Sequence, residues 1–232
     1  MSTSIVTTTA DRVDASDGRL SLREAVQRAN AATGADTIRF GPAVEGRTLA
    51  LTGGQLTLTD DATIDGGGRG VTLDGGGSDR VLLIGSTGTE VGLDRLGITG
   101  GEPGHDPQGG SAGGGIHLGA GNGLTLTRST VTGNAGYAGG GGIFAGTGSR
   151  VTITDSAITG NRSGYGSGGG LAASGDVAVA IARSELSGNS AHEAGGATPW
   201  GGAARWSWSA ARSAAMAATM AGACWPSKGT CA

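Results

Sequence analysis

LTLTRSTVTGN at 124–134, VTITDSAITGN at 151–161 and VAIARSELSGN at 179–189 are three writings of one pattern. The closing asparagines, Asn134, Asn161 and Asn189, stand 27 and 28 residues apart, and Ile116, Ile143 and Leu171, each behind a glycine run, keep the same two steps. Self-similarity at a period of about 20–50 residues marks stacked units, none of which buries an apolar face alone. Within each unit Leu124/Leu126, Val151/Ile153 and Val179/Ile181 face one way and the residues between them the other. The alternation slips by one ahead of Ser129, Ser156 and Ser184, then resumes at Val131, Ile158 and Leu186. A slip at the same place in every unit is what a corner between two short strands requires.

Short strands joined by corners and returning every 27 or 28 residues predict an all-β chain, a right-handed parallel β-helix of about six coils. Each coil lies about 4.8 Å above the last, so inward positions stack into apolar columns. The serines are expected at a tight corner that excludes a larger side chain. Asn134, Asn161 and Asn189 each follow glycine, a pairing suited to a left-handed turn, with amides able to hydrogen-bond up the column. Glycine stretches 139–142 and 168–170 are read as turns whose backbones pass close together. Looser coils upstream run through Leu56/Leu58, Ile64-Asp65-Gly66, Val71/Leu73 and Val91/Leu93/Ile98, with an insertion at 101–114. A flexible glycine-rich linker does not keep apolar residues in register over three copies.

At the other end, Ser21-Leu22-Arg23-Glu24 fits a Ser-x-x-Glu capping box. Leu22, Ala25, Val26 and Ala29 follow at helical spacing, so Ser21 and Glu24 are expected to start a short helix that covers the open first coil. Thr37-Ile38-Arg39-Phe40 reads as the strand after it. The organisation expected is a strand and capping helix over 1–35, coils over 36–197, and a separate tail over 198–232.

Ser-Leu-Arg-Glu-Ala at 21–25, Ala29-Asn30, and Asp36 to Phe40 together resemble the N-terminal module of bacterial β-helix proteins named for a Cys-Ser-Leu-Arg-Glu-Ala motif. The Gly-Gly-Gly-Ile runs at 113–116 and 140–143 and the Ser-x-x-x-Gly-Asn closings are similar to the same family. More distantly they resemble chlamydial polymorphic outer-membrane proteins. The resemblance covers residues 5–197; Leu20 stands where that family has its cysteine, and the chlamydial Phe-x-x-Asn motif is missing. It implies a pectate-lyase-like solenoid and an extracellular or surface scaffold, often the front of a larger secreted chain, and brings no known catalytic centre. Residues 1–20 contain no apolar core flanked by positive charge, so no secretory signal is read there. Relatives of that kind are expected to leave by a C-terminal signal, which a truncated chain would lack.

The tail differs in kind. All four tryptophans, Cys224, Cys231 and the one lysine lie after residue 197, and all 19 acidic residues lie before it. The body has 13 arginines against those 19 acids, a charge of −6, while the tail carries +3, together the −3 of the whole chain. A shifted reading frame accounts for this. Trp206 is encoded only by TGG, so the codon spanning Trp206 and Ser207 can encode valine. The codons spanning Met216/Ala217 and Met220/Ala221 must encode glycine, and an asparagine codon fits across 215/216, 27 residues after Asn189. The expectation is a frameshifted tail, irregular or helical, ending a fragment of a larger protein and leaving an open last coil able to self-associate. The alternative is a genuine alanine-rich helix from about Ser209 to Ala223. Cys224 and Cys231 without partner ligands are not read as a metal or disulfide pair.

Composition narrows the chemistry. With 50 glycines, 8 aromatics and 15% charged residues in 232, the chain is neither collagen nor charge-driven disorder. No apolar run approaches membrane-span length, and an acidic body offers no basic face to nucleic acid. Hydrolysis of a sugar polymer needs two carboxylates across one site, and lyase action commonly uses Ca²⁺-binding acids with a base. The clearest outward column, Arg95, Arg128, Asp155 and Arg183, mixes signs and reads as an ionic ladder. Glu102, His105 and Asp106 in the insertion are the candidate catalytic cluster, weighed against solvated loop surface. Asp60, Asp61, Asp65, Asp74 and Asp79 sit beside glycines and read as turn chemistry; His117 and His192 are isolated. Tyr137 and Tyr165, 28 apart, are the one aromatic pair suited to sugar stacking.

Two functions remain open at this level. One is a non-catalytic scaffold or adhesin-like segment meeting surface glycans or polysaccharide, without cofactor or metal. The other is a fragment of a carbohydrate-active β-helix enzyme, a polysaccharide lyase or hydrolase, in which Ca²⁺ would have a place.

Overall fold

The computed structural model describes residues 1–104, 110–192, 197–200 and 205–209, with side chains as far as residue 192. It is a parallel β-solenoid: every strand pairing runs parallel, in sheets of eight, six, six and three strands. The eight-stranded sheet I takes one strand from each pass of the chain, among them Gly123–Thr127, Arg150–Thr154 and Ala178–Ala182. Sheet II holds Thr130–Thr132, Ala157–Thr159 and Glu185–Ser187; sheet III holds Ile116–Leu118, Ile143–Ala145 and Leu171–Ser174.

Register follows the repeat. Val131 lies against Ile158 and Ile158 against Leu186, while Leu124, Val151 and Val179 form a second column and Ile116, Ile143 and Leu171 a third. All nine side chains are buried, because alternation sends one residue in two to a narrow interior that three sheets enclose. Burying a Val, Leu or Ile is worth about 1.5–3 kcal/mol, and a stack of such rows is what makes the coils cohere.

The corner between sheets I and II has a specific cause. Arg95, Arg128, Asp155 and Arg183 adopt φ of 53°, 47°, 51° and 47°, and no other non-glycine residue among those described has positive φ. One left-handed residue turns the chain and shifts the alternation, which is the slip seen in the sequence. Leu96 fills the place of Ser129 one coil earlier and is buried. Similarly, the left-handed turn before Asn134, Asn161 and Asn189 is taken by Gly133, Gly160 and Gly188, and the matching turn one coil earlier by Gly100, at φ 62–65°, and not by the asparagines.

The N-terminal cap forms as its sequence requires. The helix Leu22–Ala31 has Ser21 as N-cap: Ser21 Oγ accepts from the Glu24 N–H at 3.2 Å and Glu24 Oε2 accepts from the Ser21 N–H at 2.8 Å. Leu22, Ala25, Val26 and Ala29 are buried on the first coil. Polar ties fix the docking. Arg23 donates to both Asp11 carboxylate oxygens at 2.8 Å and to the Gly54 and Gln55 carbonyls. Asn30 bridges to Thr57 and Thr59.

Strand structure continues past residue 197. Ala197–Trp200 adds a strand to sheet III and Arg205–Ser209 one to sheet I, where an irregular or helical tail was expected. Trp206 and Trp208 take the register places of Val179 and Ile181, a step of 27, so apolar alternation extends the sheet whatever its origin. Of the alternative helix from about Ser209 to Ala223, Ser209 closes the sheet I strand and residues 210–223 lie outside the described residues, as do Cys224 and Cys231.

Candidate functional site

The side chains that the repeats hold constant are turned inward and spent on the neighbouring coil. Asn134 and Asn161 are buried. Asn161 Oδ1 accepts from both the backbone N–H and Nδ2 of Asn134, each at 3.0 Å; Asn189 Oδ1 does the same for Asn161. Each amide also donates one coil back, from Asn134 to the Ile98 carbonyl at 3.0 Å and from Asn161 to the Val131 carbonyl at 2.9 Å. The serines form a second ladder. The Leu96 N–H donates to Ser129 Oγ at 3.0 Å, Ser129 to Ser156 Oγ at 3.1 Å, and Ser156 to Ser184 Oγ at 3.1 Å.

A third ladder is one the sequence did not disclose. The Thr89 N–H donates to Asn122 Oδ1 at 3.0 Å and the Asn122 N–H to Ser149 Oγ at 3.3 Å. The position changes residue type from coil to coil, and only its place just ahead of a sheet I strand could have marked it. Beside the asparagines, glycines 113–115 and 140–142 hydrogen-bond coil to coil at 2.8–3.3 Å. A Cβ at Gly114, Gly141 or Gly169 would lie 2.1 Å from a carbonyl oxygen, so these positions admit no side chain.

Outward charges pair locally. Arg95 Nη1 sits 3.1 Å from both Asp65 and Asp94, Arg128 reaches Asp94 at 2.6 Å, and Arg183 holds both oxygens of Asp155 at 2.6 and 2.7 Å. The ladder therefore crosses the corner to Asp65 and Asp94 in addition to running up it. The Arg183 guanidinium keeps the Asp155 carboxyl below its ordinary range. Asp65 and Asp74 accept from the backbone N–H two residues on at 3.0 and 2.9 Å, as turn residues do, and Asp60 from the next N–H at 2.8 Å, whereas Asp61 and Asp79 reach another coil and accept from the Glu90 and Gln55 N–H groups at 2.8 and 3.0 Å.

Of the insertion cluster, Glu102 is exposed and pairs with Arg162 at 2.5 Å. His105 and Asp106 lie outside the described residues. Arg80 is buried beneath the insertion and donates to Gln55 Oε1 at 2.8 Å, to the Ala112 carbonyl at 3.2 Å and to the Gly110 carbonyl. His117 stacks on Phe144 with centroids 5.0 Å apart and contacts the Ala112 carbonyl; burial pushes its pKa below the ordinary imidazole value. Tyr137, Tyr165 and His192 stack along one side at 4.5 and 5.9 Å. The tyrosine rings are tilted by 40° to each other, and Tyr165 is exposed.

Two surface grooves flank the corner at the coil 90–99, because Gly92 and Gly97 interrupt the outward threonine columns there. The groove on sheet I, about 430 Å³, is lined by Asp61, Glu90, Asp94 and Arg128 among others. The groove on sheet II, about 450 Å³, is lined by Arg69, Arg95, Arg128, Thr72 and Thr130, with no carboxylate. Sequence reasoning treated Arg95 and Arg128 as ladder members and passed over Arg69. The one trace of the grooves in the sequence is the pair of glycines in EVGLDRLGIT, 90–99, and their flanking threonines are set by register.

Among the described residues no three His, Cys, Asp or Glu side chains group to hold a metal, and no helix is long and apolar enough to cross a membrane. Comparison with protein-family models, curated proteins and solved structures finds no match to the chain.

Proposed function

We propose that the chain is a non-catalytic scaffold, an adhesin-like β-helix segment of a larger secreted or surface repeat protein of the Cys-Ser-Leu-Arg-Glu-Ala type. The observation that carries this reading is the destination of the repeated polar groups. Asn134, Asn161, Ser129 and Ser156 are turned inward and hydrogen-bonded to adjacent coils, so what the repeats preserve is stacking. Glu102 of the candidate catalytic cluster is engaged by Arg162, and the turn aspartates by backbone N–H groups. Hydroxyls and guanidinium groups remain for outward contact, which suits adhesion to surface glycans or polysaccharide. The resemblance at residues 21–40 supports an extracellular or surface location. The tail, in this reading, is the product of a shifted frame, and the third bases of codons 198–232 test it directly.

Incubation with pectate, alginate and neutral glycans, with and without Ca²⁺, tests the absence of catalysis. The expected result is no chain cleavage in any condition. Turnover that Glu102→Gln or Asp106→Asn abolishes would replace the scaffold with a carbohydrate-active enzyme.

A further inference from the structure

We propose that the groove on sheet II binds a linear anionic glycan, carboxylated or sulfated, lying along the solenoid axis. This deepens the scaffold reading and rests on it for the partner class. Arg69, Arg95 and Arg128 line the groove from three successive coils, and no acidic side chain lines it with them. Successive coils are about 4.8 Å apart, so a linear polyanion along the axis meets Arg95 and Arg128 one coil apart, with Arg69 beyond them toward Gly46.

The guanidinium groups are oriented from behind. Asp65 and Asp94 lie across the corner and hold Arg95 through Nη1 and Arg128 through Nη2. An arginine has five N–H donors in a fixed fork, so Nε and the second terminal nitrogen of each are left for a ligand. Arg69 is exposed, its stem lies over Gly46, and no ion-pair partner holds it among the described residues. Gly97 makes the space. It stands between Thr72 and Thr130 in the outward column, and a Cβ there would come within 2.8 Å of Thr72 Oγ1. The hydroxyls of Thr72 and Thr130 suit sugar hydroxyls. No aromatic side chain lines the groove for base stacking, which favours glycan over single-stranded nucleic acid.

Calorimetric titration of the full chain with polygalacturonate, a sulfated glycosaminoglycan, neutral dextran and single-stranded DNA tests the proposal. Binding of one or both anionic glycans is expected, falling with added salt, with none to dextran. The carboxylated and sulfated arms show which anion is preferred. Arg69→Glu is expected to weaken binding about tenfold and Arg69→Lys much less, since loss of a charge-assisted hydrogen bond is felt at that scale. Arg69 is exposed and outside the ladders, so both variants should retain the parent unfolding midpoint. Failure to bind any anionic glycan, undiminished binding by Arg69→Glu, or tighter binding of DNA overturns the groove assignment and leaves the scaffold standing. Cleavage of a bound glycan overturns the scaffold and leaves the groove.

Discussion

Asn161 Oδ1 takes two hydrogen bonds from Asn134, one from its backbone N–H and one from its side-chain amide, both at 3.0 Å. A single oxygen thus ties the backbone and the side chain of one coil to the next, in a place with no access to water. Asn161→Ala leaves the buried Asn134 backbone N–H without its acceptor and takes a donor from the Val131 carbonyl, while Asn134 Nδ2 keeps the Ile98 and Thr132 carbonyls. The expected loss is about 2–4 kcal/mol, read from denaturant midpoints. Asn189→Ala, at the less buried end of the ladder, should cost less.

The glycine column makes a purely steric prediction. A Cβ at Gly141 meets the Arg162 carbonyl oxygen at 2.1 Å, whereas one at Gly164 has no atom closer than 3.8 Å, and neither glycine has positive φ. Gly141→Ala should cost about 3 kcal/mol or more by overpacking. Gly164→Ala should be neutral or stabilising by up to about 1 kcal/mol, through the unfolded state.

The corner predicts a split between two substitutions that both remove the Arg183 ion pair. Asp155 holds φ 51°, which glycine adopts freely and a β-branched residue resists. Asp155→Gly should be more stable than Asp155→Val by about 1–2 kcal/mol, measured by thermal or chemical unfolding.

How much of this could be read beforehand differs from place to place. The strands and their register were legible because apolar alternation and a 27/28-residue step constrain each other; Val131, Ile158 and Leu186 have no other way to be buried together. The helix cap was legible because Ser21 and Glu24 satisfy each other locally. The reason for Ser129 was not, since a hydroxyl's partner is the N–H of another coil. The left-handed arginines were hidden too, because sequence gives no sign of positive φ outside glycine and asparagine. The sheet II groove depends on a glycine, Gly97, whose outward position matters only once Thr72 and Thr130 are known to flank it.

Acid should weaken the N-terminal cap. Glu24 accepts from the Ser21 and Asp14 backbone N–H groups, and these bonds lower its carboxyl pKa in the folded protein. A carboxyl lowered on folding stabilises at pH above its unfolded value, about 4.3, and loses that contribution as pH falls through the lower folded value. Glu24→Gln should therefore be less stable than the parent at neutral pH, with the difference closing as pH falls below that range. A constant difference from pH 7 to pH 2 would contradict the assignment.

The central claim is that each pass of the chain lies in register on the one before, one repeat later. Thr132 and Thr159 are register partners in sheet II with hydroxyl oxygens 3.3 Å apart, and Ser187 is the next partner along. The direct test is disulfide mapping in a chain carrying Cys224→Ser and Cys231→Ser. Thr132→Cys with Thr159→Cys should close an intramolecular disulfide under mild oxidation, because neighbouring strands fall within bridging distance. Thr132→Cys with Ser187→Cys, two coils apart, should remain reduced. Crosslinking of the second pair, or its absence from the first in folded protein, would contradict the stacked solenoid.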